Sequence, residues 1–200
     1  MTIRSKLVTP LGYFFIKHPE KRWFDIAFPV LFSAIIVLII SYMPKHVSLI
    51  GKDSLISLVN GILQILSGFY IASMAAVATF QKDGMDEVMD GEPPKLKGKP
   101  LTRRQFMTHL FGYLAFLSIV LYFVGGALQL AGPSIKDIEL FSNVYVRILA
   151  LFLYLFAVSN ILFTTALGMF FMIDKMHENK PKLQIKPIDE GKVDSTDKET

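Results

Sequence analysis

Four histidines, His18, His46, His109 and His177, and no cysteine make up the chain's whole supply of soft metal ligands and near-neutral bases. They fall in four separate segments with no H-x-x-x-H spacing, so neither a zinc site nor thiolate chemistry is encoded. No G-x-S-x-G, phosphate-binding loop or dinucleotide fingerprint is present. Enzymatic activity and a cofactor are therefore not expected. The groups left for chemistry are amides and one arginine within apolar runs, and a cluster of acids outside them.

Asn60, Gln64 and Asn160 lie inside long apolar stretches. They suit either a polar path or interhelical hydrogen bonds, worth about 0.6–2 kcal/mol each, and the second reading is preferred. Arg147 sits about one turn inside the last stretch. It fits an anion site or gate, but its shallow position favours an interfacial anchor paired with Asp53, Asp137 or Glu139. No acid lies deep in any span, which argues against a proton-coupled pump or cation carrier. The segment from Asp83 to Pro94 carries Asp83, Asp86, Glu87, Asp90 and Glu92 with Met85 and Met89. Fixed turns, carboxylates and methionines suit docking of a soluble partner, against the plainer reading of a solvated linker. The spacing of a calcium-binding EF-hand is missing.

These residues need elements to hold them. The 200 residues are 52% hydrophobic with a net charge of +4. Four apolar stretches, 24–42, 55–80, 106–131 and 144–173, are each long enough to cross a bilayer as a helix. Seventeen of the 21 lysines and arginines flank them on one side: Arg4, Lys6, Lys17, Lys21 and Arg22 before the first; Lys82, Lys95, Lys97, Lys99, Arg103 and Arg104 in the middle connection; and Lys175, Lys180, Lys182, Lys186, Lys192 and Lys198 in the tail. Only Lys45, Lys52, Lys136 and Arg147 belong to the other side. The positive-inside bias then predicts an all-α membrane protein, a four-transmembrane-helix bundle with both termini cytoplasmic. A bacterial inner membrane is the expected location. The predicted organisation is an interfacial N-terminal segment 1–23, a membrane domain 24–173 with an inner loop 81–105, and a tail 174–200 that is partly disordered. No cleavable leader is expected.

Within that frame, residues 3–16 read as a short amphipathic helix on the inner leaflet. Asp25 and Pro29 fall at the inner end of span one, where a charge reaches water, and span one reads as the lipid-facing helix. In span two the residues Ser57, Asn60, Gly61, Gln64, Ser67 and Gly68 share a side, which is expected to pack against protein. Span three carries Gly125 and Gly126, which fit close helix packing. Thr102-Arg103-Arg104-Gln105 fits a capping box, starting the third helix before its apolar run.

Ser67-Gly68-Phe69-Tyr70-Ile71-Ala72, the run Gly84-Met85-Asp86-Glu87 with Gly91-Glu92-Pro93-Pro94, and Leu101-Thr102-Arg103-Arg104-Gln105-Phe106 resemble a family of small four-helix bacterial membrane proteins. That family includes the KwaA-like membrane subunits of the Kiwa anti-phage defence system. The resemblance spans the whole layout, and its motifs are not catalytic. It implies a sensor at the inner membrane that detects infection and works with a soluble cytoplasmic, DNA-binding effector resembling KwaB. Interior faces on three spans add the expectation of self-association, a homo-oligomer such as a tetramer. The rival expectation is an oligomeric ion- or solute-permeable pore lined by Asn60, Gln64 and Asn160. A membrane enzyme or a lysis factor ranks third.

Overall fold

A computed structural model describes residues 9–18, 21–44, 47–51, 53–81, 84–89, 93–136 and 143–175. Four helices dominate: α1 (Phe28–Tyr42), α2 (Leu55–Thr79), α3 (Arg103–Lys136) and α4 (Val144–Phe170). A π-helical turn, Trp23–Ala27, leads into α1, and another, Phe171–Lys175, follows α4. Each helix with its flanking turns is long and apolar enough to cross a membrane, over Trp23–Tyr42, Leu55–Thr79, Arg103–Gly132 and Val144–Ile173. These limits lie within three residues of those read from sequence.

The helix starts follow from local chemistry. Unpaired backbone N–H groups are costly near lipid, and three of the four helices begin with a side-chain cap. Ser54 Oγ accepts from the Ser57 N–H at 3.2 Å, and Asn143 Oδ1 accepts from the Tyr145 N–H at 2.9 Å. At α3 the expected capping box is complete: Thr102 Oγ1 accepts from the Gln105 N–H, and Gln105 Oε1 accepts from the Thr102 N–H, both at 3.2 Å. At α1, Pro29 occupies the first turn, where no N–H is missed.

α2 packs on α3, α3 on α4, and α4 on α1. α1 exposes much of its apolar surface. Leu31, Ile35, Leu38 and Ile39 are exposed, and Phe28 and Phe32 clasp Phe163 of α4 at ring distances of 5.6 and 5.7 Å.

The face that α2 turns inward is mostly apolar, and of the side expected to pack against protein only Asn60 is buried. Val59, Leu63, Tyr70 and Val77 are buried, while Gly61, Gln64, Gly68, Ala72 and Ala76 are exposed. Glycine does mediate the contact, but from the opposite helix. Met74 Sδ lies over Gly112, and Asn60 lies over Gly125, where an added Cβ would collide with its amide. Large side chains on α2 thus fill hollows on α3, which recovers dispersion energy that lipid tails do not supply. On the other flank of α3, Leu110 sits against Gly168 of α4 in the same way.

The N-terminal segment does not lie on the leaflet as a separate amphipathic helix. Thr9–Phe15 forms a 3-10 helix packed on α3. It is followed by a strand, β1 (Ile16–Lys17), which pairs antiparallel with β2 (Lys95–Leu96) of the middle connection. β2 in turn pairs with β3 (Lys99–Pro100) across the Lys97-Gly98 turn. Both turn residues have positive φ, 51° and 81°, as a two-residue hairpin turn of type I′ requires. Tyr13 and Ile16 are fully enclosed, and Tyr13 reaches the bundle core through Phe106 and Tyr113. Phe171 meets Phe106 at 4.8 Å. The N-terminal segment, the middle connection and the end of α4 therefore gather at one end of the bundle.

Candidate functional site

The polar residues at that end form two linked constructions. The first is a buried knot around Asp25, which is only 5% exposed. Its position one turn after Lys21 lets the two side chains meet on one helical face, with Nζ 2.5 Å from Oδ2. The Tyr13 hydroxyl donates to Asp25 Oδ1 at 3.0 Å, and Thr164 Oγ1 donates to the same oxygen at 3.5 Å. The Asp25 carbonyl accepts from Asn160 Nδ2 at 2.8 Å. Asn160 Oδ1 accepts from the Tyr113 hydroxyl at 2.6 Å. The Lys21 ammonium lies 4.3 Å above the Tyr13 ring, which itself stacks on Tyr113 at 4.9 Å. The expectation that Asp25 would reach water is overturned, because the N-terminal segment folds over it. Burial, and then the charge of Asp25, push the Tyr13 hydroxyl well above the ordinary tyrosine range. It therefore stays protonated as a donor. Each of these polar side chains engages another member of the knot, which fastens the N-terminal segment to α1, α3 and α4.

The second construction joins the middle connection to two helix ends. Arg104 Nε and Nη2 bind Asp86 Oδ1 and Oδ2 at 2.8 and 3.0 Å, a bidentate pair. Arg104 Nη1 donates to the carbonyls of Val77, Ala78 and Phe80 at 3.0, 3.1 and 2.8 Å. These belong to the last turn of α2, whose carbonyls have no partner within the helix. The Arg104 and Arg103 N–H groups, at the start of α3, donate to the carbonyls of Met85 and Glu87 at 2.9 and 3.2 Å. One arginine thus ties together the end of α2, the start of α3 and the loop between them. Hydrogen bonding to Arg104 holds the Asp86 carboxyl below the usual carboxylate range.

The residues singled out from sequence separate into several places. Met85 and Met89 are buried, 2% and 9% exposed, in the core below the loop. They are not offered to a partner, and that part of the docking expectation is corrected. Asp86 is engaged by Arg104, whereas Glu87 is exposed. Asp83, Asp90 and Glu92 lie outside the described residues. Asn160 belongs to the knot. Asn60 faces Gly125, twelve residues further along α3 than Tyr113, or about 18 Å in depth. Asn60, Gln64 and Gly126 line a hollow between α2 and α3, in which Asn60 Oδ1 has no hydrogen-bond partner among the described residues. Gly68 faces open space. Arg147 is exposed near the start of α4, and no ion pair to Asp53 forms among the described residues. Asp137 and Glu139 lie outside them. Asn60 and Asn160 therefore do not border one path within a single copy of the chain.

The sequence reading missed Tyr13, Lys21, Asp25, Tyr113 and Thr164. The available signal was the Lys21–Asp25 spacing at a span's edge, since an ionisable residue there calls for a named partner. Comparison with models of protein families, with curated proteins and with solved structures finds no match.

Proposed function

We propose that this chain is a membrane scaffold and sensor that converts the packing of its helices into the shape of a cytoplasmic platform read by a soluble effector. The observation that carries the reading is the Arg104 fastening. Because it grips Asp86 and three carbonyls of α2 from the first turn of α3, any sliding of α2 along α3 must displace the loop. A bundle with two packings of similar energy would thereby present two loop geometries. The platform has an exposed acidic component, Glu87, flanked in sequence by Asp83 and Asp90.

The resemblance to the KwaA-like subunits supports the same reading and makes it more specific. The chain is then the inner-membrane subunit of a bacterial anti-phage defence system, both termini are cytoplasmic, and its effector is a DNA-binding protein resembling KwaB. The outward-facing small and polar side of α2 supports self-association as a homo-oligomer, because amides and backbone exposed to lipid gain from a protein neighbour. The pore alternative has less support, since its proposed lining residues are divided between separate sites.

The test is capture of the soluble protein encoded beside this one. Asp83→Lys, Glu87→Lys and Asp90→Lys together, with Asp86 retained to keep the Arg104 pair, are expected to weaken co-purification while membrane insertion stays normal. Unchanged capture would remove the docking claim.

A further inference from the structure

Beside the Lys21–Asp25 pair lies a cavity of about 900 Å³, within the range of small-ligand sites. Its lining combines basic residues, Lys17, Arg22, Lys95 and His18, with apolar ones, Ile26, Leu117 and Phe156. Among the described residues the only carboxylate in the lining is Asp25, and Lys21 already engages it. Lys17, Arg22 and Lys95 have no ion pair among the described residues, whose lining groups thus carry surplus positive charge. The lining also includes three polar residues more than nine-tenths buried, Lys21, Asp25 and Asn160.

Position adds to composition. The cavity sits where the first span begins, at Trp23. Phe14 and Ile26 of its lining are exposed, as is Trp23 next in sequence to Arg22, so apolar surface is available at its edge. A ligand that satisfies both sets of residues carries a negative head and hydrocarbon directly attached to it. We infer that this cavity seats the headgroup of an anionic glycerophospholipid from the adjoining leaflet, with its phosphate toward Lys17, Arg22 and Lys95 and its first acyl carbons along Ile26, Leu117 and Phe156. A nucleic acid lacks the combination, because its phosphates carry no hydrocarbon chain. The inference requires only that the helices lie in a bilayer, so its failure and that of effector docking are separable.

The full chain, purified in detergent, is titrated with phosphatidylglycerol or phosphatidylcholine, and bound lipid is counted by native mass spectrometry. Phosphatidylglycerol is expected to bind at least about tenfold more tightly. Removal of three cations by Lys17→Gln, Arg22→Gln and Lys95→Gln should weaken it by at least about tenfold, because each basic group near a membrane surface contributes appreciably to anion attraction. Lys97→Gln with Lys99→Gln removes charge from the same end without touching the cavity, and should leave binding within about twofold. Equal affinity for the two lipids, or equal loss in both sets of variants, overturns the site in favour of diffuse surface charge. Displacement of phosphatidylglycerol by inorganic phosphate or glycerol phosphate at millimolar levels overturns the lipid assignment in favour of a soluble phosphate.

Discussion

Replacing Asp25 by alanine isolates the contribution of the knot. In the native chain the carboxylate faces Lys21 at 2.5 Å, and the two side chains are 5% and 9% exposed. Truncation leaves a buried ammonium without its counter-charge and the Tyr13 hydroxyl without its acceptor. Breaking a buried pair from one side costs about 3–5 kcal/mol, and a stranded hydroxyl adds about 1–3 kcal/mol. Lysine recovers part of this by extending its flexible stem toward water, so the expected loss is about 3 kcal/mol. The Asn160 bond is to the Asp25 backbone carbonyl and survives the change. Replacing both partners, Lys21→Met with Asp25→Leu, removes the stranded charge and should return stability to within about 1 kcal/mol of native. Reversible unfolding in mixed micelles gives the energies. Tryptic cleavage after Lys17 reports release of the N-terminal segment directly. A loss for Asp25→Ala below about 0.5 kcal/mol, the level of an exposed pair, would show that the pair is solvated. A double variant no better than the single one would show that the charge imbalance is not what matters.

Three further outcomes are expected. Gly125→Val should destabilise by about 1–3 kcal/mol through overpacking against Asn60, whereas Gly126→Ala meets nothing within 4 Å and should be neutral or slightly stabilising in thermal unfolding. The Asp86 pKa is lowered in the fold, so its stabilising pair with Arg104 is complete above the ordinary carboxylate range and is lost as pH falls through the lowered value; faster amide exchange at the end of α2 on acidification, absent in Asp86→Asn, checks the sign. Gly68→Phe faces open space within one copy and should leave the monomer folded while abolishing higher species in crosslinking; an unchanged crosslinking pattern would place self-association elsewhere.

The helices were legible because hydropathy and capping act locally. Thr102 and Gln105 are three residues apart, and a capping box needs no more than that. The orientation of α2 was not legible. Period alone separates its two faces but does not say which one meets protein, and that depended on Gly112 and Gly125 of another helix. The acidic loop read as a docking surface with its methionines on offer, because composition does not show which way a side chain turns, yet Met85 and Met89 are buried beneath it. The knot was hidden for a different reason. Asp25 looks like an interfacial charge until Tyr13 from one side and Thr164 from the other are brought over it, and no local pattern records that meeting.

The partners of Asp25 also order events in time. Synthesis delivers the chain from its amino end, but Asn160 and Thr164 follow Asp25 by 135 and 139 residues. Until the last helix is threaded into the bilayer, the segment can settle on α3 and β2, but the Asn160 and Thr164 contacts to Asp25 are missing. A chain cut short before α4 would keep the Lys21 and Tyr13 contacts to Asp25 but lose those from Asn160 and Thr164. The entry to the first span is thus fully fastened only after the last helix is in place.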